Sequence, residues 1–326
     1  MSELKQRDNI LDFIRGICVL FVIITHFEYS FDAYHKLLFP FWIDIAVPGF
    51  MFISGYVRSN SYKNRDIDLL KQAYDIKLLI KNILRLTIPF LFIFILEEII
   101  IFSKQAIQPA KYYIYTLIID FLEGGHGPGS YYYPVMIQFI FIFPLLYFLI
   151  KRYKQKGLFI SFVLNILYEL IKYLINLNFS IYRLLVFRYI FIISYGIYLG
   201  LNKKNDIKKP LRLISFILGL VFIIYNEYIG LDNSFINYYP NTSLIACLYF
   251  AEILSILIEN LKFKNKFLEL LGKASYNIFL VQMFYYKYIS IDLSKTFLFV
   301  LSFIICLCFG LLFYYLEKRF LKLKIK

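Results

Sequence analysis

The sequence predicts an all-α polytopic membrane protein, and three observations carry that expectation. Of its 326 residues, 60% are hydrophobic and 21% aromatic, more apolar surface than a soluble chain of this size hides. Apolar stretches recur from end to end at the ~20-residue length that crosses a bilayer. Lys and Arg crowd every second connection, as short cytoplasmic loops do.

Ten spans follow, at 10–29, 41–57, 85–102, 131–150, 158–176, 185–201, 211–229, 242–261, 274–290 and 296–316. Basic residues gather before the first span and after the second, fourth, sixth, eighth and tenth, so both termini are expected in the cytoplasm. The net charge of +14 then reads as topology, and no nucleic-acid partner is expected. No cleavable leader is expected, because the first span contains Arg15 and lacks a small-residue cleavage site. Cys18, Cys247, Cys306 and Cys308 all fall in spans, where cysteine behaves as a small hydrophobe; neither a disulfide framework nor a metal site is inferred. The expectation is a single membrane-embedded domain over 1–326, with no appended soluble domain and any chemistry completed inside the bundle.

Span one holds the most informative pair. Arg15 and His26 lie eleven positions apart, which at ~100° and ~1.5 Å per residue puts them on nearly one face, ~16 Å apart. Ionisable groups within a membrane helix face protein or water and mark function. Asp12, one turn before Arg15, partly neutralises it, and the bland reading is a structural pair with a snorkelling arginine. The sharper reading is an anion anchor at the cytoplasmic mouth, with Gly16 admitting a backbone or a ligand. His26, toward the outer end, is either hydrogen-bonded to a neighbouring helix or a general base for a hydroxyl.

Span two enters from outside, with Asp44 near its outer end, and span three exits with Glu97 and Glu98 outward. Any of the three could orient His26 as the third member of a triad; the sequence does not choose. Arg58, Lys81 and Arg85 flank the cytoplasmic loop and read either as ordinary positive-inside charge or as a collar for a phosphate-bearing donor. In the outward connection 103–130, residues 112–122 are apolar but too short to span, which predicts a re-entrant or interfacial helix. The run 123–130 that follows is rich in glycine, lacks the Lys-Ser/Thr ending of a phosphate loop, and reads as a turn lining an outward cavity. His35 and His126 read as loop residues without a catalytic role, His126 being the stronger outsider.

These residues together resemble the acyltransferase-3 family of integral membrane acyltransferases. Leu11-Asp12-Phe13-Ile14-Arg15-Gly16 followed by His26 resembles its opening, in which ten residues lie between arginine and histidine. The stretch 47–56, containing Ser54 and Gly55, resembles its second-span signature. Arg85 to Pro89, Tyr132 to Pro144, Tyr195-Gly196 with Gly200, and 271–280 with Ser275 resemble its later blocks, in order along nearly the whole chain. The chain departs from the pattern where a first arginine before span three is Asn82, where a span-four tryptophan is tyrosine, and where a span-nine histidine is Gln282.

The resemblance implies transfer of an acyl group, usually acetyl, from cytoplasmic acyl-CoA to a hydroxyl of an extracytoplasmic or lipid-linked glycan. His26 is then the base or the acyl carrier, and Arg15, Arg58, Lys81 and Arg85 hold the donor. No tightly bound cofactor is expected; the partners are membrane lipid, acyl-CoA and a carbohydrate, in the cell membrane. The rival class is a carrier or flippase for a glycan precursor or small anion, with Arg15 as anchor and His26 as proton-coupled gate. The absence of internal repeats weighs against it. Acyl size, acceptor identity and oligomeric state are not legible.

Overall fold

The computed structural model describes residues 2–27, 31–104, 110–202, 206–229, 245–262, 264–289 and 294–324, and every regular element among them is helical. Helix α1 (Ser2–Thr25) carries the first predicted span, whose residues 28 and 29 lie outside the described residues. Short α2 (Phe31–Lys36) and α3 (Phe39–Trp42) lead into α4 (Ala46–Lys63), and one-turn α5 (Leu70–Ala73) precedes α6 (Ile76–Lys104). Helix α7 (Ala110–Glu123) covers the stretch read as too short to span. Helices α8 (Tyr132–Tyr153), α9 (Gln155–Leu174) and α10 (Phe179–Arg183) follow, then a 3-10 turn (Val186–Tyr189) and α11 (Ile190–Leu201). Helix α12 (Lys209–Ile224) ends in a π turn, Tyr225–Ile229. The chain closes with α13 (Ala246–Asn260), α14 (Lys266–Lys273), α15 (Ser275–Tyr288) and α16 (Lys295–Lys324).

Among the described residues, six helical stretches are long and apolar enough to cross a membrane: Phe39–Lys63, Leu70–Ser103, Tyr132–Tyr153, Gln155–Leu174, Lys209–Ile229 and Phe297–Phe320. Several of them turn large apolar side chains outward, as with Ile88, Phe92, Ile95, Ile99 and Phe102 along α6. Only a lipid environment accommodates that surface. The remaining predicted spans are occupied by charged or shorter helices. Helices α11, α13 and α15 have 12, 15 and 14 residues, or roughly 18–23 Å against the ~30 Å of a hydrocarbon core. They differ from the expected lengths because they sit inside the bundle, where neighbouring helices rather than lipid surround them. Helix α11 is buried at every position from Ile190 to Gly200. The predicted span at 242–261 also begins on residues outside the described ones.

Two seams set the bundle, α4 on α11 and α1 on α14. Both work by backbone approach at small residues, the usual means of helix association in membranes. A Cβ on Gly55 would strike the carbonyl of Ile193, and one on Gly196 would strike that of Phe52. A Cβ on Gly16 would likewise collide with the carbonyl of Leu268, and one on Gly272 with that of Asp12. The Gly16 position therefore serves a backbone. Gly16→Ala is expected to destabilise the protein by ~1–3 kcal/mol, as overpacking does, read as a lower melting temperature in detergent. A variant that melts with the wild type would contradict this close approach.

The buried Glu252 carboxylate is paired in place. Arg212 on α12 bonds Glu252 and Glu259 of α13 at 2.8 and 3.0 Å and Ser255 at 3.0 Å, while Tyr195 of α11 donates to Glu252 at 2.7 Å. This network locks three helices where removing one partner would strand the others.

Candidate active site

The last turn of α1 delivers His26, whose backbone N–H bonds the Val22 carbonyl at 3.2 Å. Its Nδ1 lies 2.9 Å from the side-chain amide nitrogen of Gln282 on α15. With the nitrogen turned toward His26, the Gln282 Oε1 is buried without a hydrogen-bond partner. The opposite amide rotamer places that oxygen on Nδ1–H and leaves Nε2 with a free lone pair. The tautomer that suits a base is therefore the one that satisfies the glutamine oxygen.

The ring borders a cavity of about 40 Å³ lined by Val22, Phe50, Gly129, Tyr131, Tyr132 and Ser275 among others. Such a volume holds a water or a hydroxyl rather than a sugar ring. Gly129 makes the room: its φ is +88°, and a Cβ there would stand 3.3 Å from His26 Cε1 and 2.9 Å from Phe279. A larger cavity, about 640 Å³, is lined by Ile88, Phe92, Phe284, Phe309, Phe313 and Phe320 of α6, α15 and α16. It is apolar and offers no reactive constellation.

Arg15 donates to Asp12 at 3.2 Å, and Lys273 approaches the other Asp12 oxygen at 3.9 Å. Its guanidinium lies within electrostatic range of Tyr132 and Arg85. Tyr132 thus lies within electrostatic range of Arg15 and also lines the His26 cavity, so one side chain stands between the two ends of the pair. Of the expected basic collar, Arg15 and Arg85 come together. Arg58 instead lies over the rings of Phe139 and Phe143 of α8, at 5.6 and 5.3 Å, and its Nη2 is buried without a hydrogen-bond partner. Lys81 is exposed on α6 and Ser54 half-buried on α4. Gly55 seats α11, while Ser275 opens α15 at the cavity wall.

None of Asp44, Glu97 and Glu98 holds the His26 ring; an amide does. Asp44 accepts from the Tyr34 hydroxyl at 2.7 Å, and burial, reinforced by that carboxylate, pushes the Tyr34 hydroxyl well up so that it remains a donor. Glu97 accepts the backbone N–H of His126 at 3.2 Å, and Glu98 pairs with His126 Nε2 at 2.9 Å. Helix phase explains the difference: α6 presents its adjacent carboxylates to the glycine loop and α7 rather than to α1.

Sequence reasoning missed two further groups. Arg188, 5% exposed, stacks on Tyr131 at 5.0 Å and on Tyr189 at 4.6 Å, a buried cation behind the cavity wall. Gln138 fixes that segment by donating to the Leu184 carbonyl at 2.7 Å and accepting the Val186 N–H at 3.1 Å. Gln282 had been seen only as a departure from a motif. The signal that could have found both was a polar side chain inside an apolar span.

A family model described as an acyltransferase domain matches residues 8–316. No curated protein and no solved structure matches the chain.

Proposed function

Because the chain belongs to the acyltransferase-3 family and is a multi-pass membrane protein, we propose that it carries an acyl group across the bilayer in the course of transferring it. The donor is cytoplasmic acyl-CoA, with acetyl the simplest group. The acceptor is a hydroxyl of a glycan that lies outside the cell membrane or is lipid-linked. All ten predicted intervals cross the bilayer, and both termini lie in the cytoplasm.

The observation that carries this reading is the His26–Gln282 pair at a small cavity whose lining residue Tyr132 also lies within electrostatic range of Arg15. Coenzyme A is polyanionic and is held at the inner end by Arg15 and Arg85, guanidinium forks being suited to phosphate. The thioester arm runs past Tyr132 toward His26. The Gln282 side-chain oxygen accepts a hydrogen bond from Nδ1–H, and Nε2 removes the proton of the acceptor hydroxyl. The oxygen attacks the thioester carbonyl carbon, the C–S bond breaks, and the departing thiolate takes the proton back from the imidazolium. Tyr132 and Ser275 line the cavity, and in this reading their hydroxyls donate to the developing oxyanion. Transfer through an acyl-imidazole uses the same residues with the order of attack reversed.

The test is incubation of membranes containing the protein with acetyl-labelled acetyl-CoA and an extracted surface-glycan pool, followed by mass spectrometry. Label is expected on glycan hydroxyls, released by mild base. Movement of a glycan or anion across the membrane with no acylated product would favour a carrier instead.

A further inference from the structure

A second constellation lies at the same end of the bundle and takes no part in the chemistry above. His126 Nε2 is 2.9 Å from Glu98 Oε1 and 3.6 Å from Asp120 Oδ2, and one ligand atom from each of the three falls within 4.8 Å of the others. They come from three different elements: α6, α7 and the loop 124–131. Two polar atoms beside the cluster have no hydrogen-bond partner. Glu97 is fully buried; its Oε2 accepts the His126 N–H, but its Oε1 has no hydrogen-bond partner. The buried Tyr288 hydroxyl also has none, and it lies within electrostatic range of Glu97, Glu98 and Asp120.

This is an unbalanced set. Three carboxylates surround His126, two of them at its imidazole and Glu97 on its backbone N–H, with the exposed Lys287 as the further cation in range of Glu97. A buried, unpaired carboxylate oxygen is costly. We propose that Glu98, Asp120 and His126 bind one divalent transition-metal ion, with Glu97 or water completing the shell. One nitrogen and two or three oxygens suit zinc in four-coordination at ~2.0–2.2 Å, whereas magnesium and calcium favour oxygen alone. The ion clamps the glycine loop to α6 and α7. Gly129 of that loop borders the His26 ring, so the clamp sets the width of the cavity mouth without touching substrate.

The full chain, purified in detergent, is stripped with chelator, incubated with zinc, desalted and assayed for metal by mass spectrometry. About one zinc per chain is expected in the wild type and in His35→Gln, and close to none in His126→Gln and in Asp120→Asn. Zinc is also expected to raise the wild-type melting temperature by ~5 °C while leaving both site variants unmoved, and magnesium should do neither. Glu98→Gln supplies a third site variant should His126→Gln fail to give a monodisperse protein. Wild-type protein holding no more zinc than Asp120→Asn, or His35→Gln losing it, would overturn the proposal. Neither result bears on acyl transfer, which is read separately.

Discussion

Replacing His26 with alanine is expected to reduce acyl transfer by ~10²–10⁴-fold, the range a positioned general base contributes, while the protein folds normally. The imidazole makes a single side-chain hydrogen bond, to Gln282, at the edge of a cavity already open to a water-sized occupant. Its removal enlarges that space and frees one amide, whereas the seam that holds α1 consists of backbone contacts of Gly16 with Leu268 and of Gly272 with Asp12, ten and more positions along α1 from His26. Initial rates with labelled acetyl-CoA, beside a size-exclusion profile and a melting curve, separate the two effects. A folded variant retaining more than about a tenth of the wild-type rate would remove the base from the mechanism.

Arg15→Ala is expected to raise the KM for acyl-CoA by ~10–100-fold with little change in kcat, the loss of a charge-assisted contact to phosphate. Arg15 is braced by Asp12, and Asp12 keeps Lys273 within 3.9 Å when the guanidinium is gone, so the helix is not left with a lone buried carboxylate. Arg15→Lys should recover part of the loss because it restores charge but not the fork. A titration of rate against donor concentration gives the answer. An unchanged KM with a depressed kcat would place Arg15 in the reacting centre instead of at the donor.

Much of this was legible in the sequence because it depends on period and position. The multi-pass helical pattern needs only apolar run length, and the α1 pair needs only the helical repeat; Tyr132 lies within electrostatic range of Arg15 and lines the cavity that His26 borders. The outward glycine run read as a cavity-lining turn, and Gly129 does line it. What escaped depends on partners distant in sequence. Gln282 meets His26 across 256 positions, and no periodicity encodes such a meeting. The carboxylates were assigned by depth alone, yet depth leaves rotation free, and α6 turns Glu97 and Glu98 toward His126. Arg58 shows the same limit: its position along the span is legible, but not that its guanidinium lies over the α8 aromatics. His126 was set aside as a loop residue because its neighbours Glu98 and Asp120 come from two other elements.

The central claim is that one helix couples an inward donor site to an outward base. Sealed vesicles with the cytoplasmic face outward, loaded inside with the glycan acceptor and supplied with labelled acyl-CoA only in the external medium, test it most directly. Label is predicted on the enclosed glycan, in amounts that vanish with His26→Ala. Labelled glycan formed only when donor and acceptor share one compartment would contradict the account.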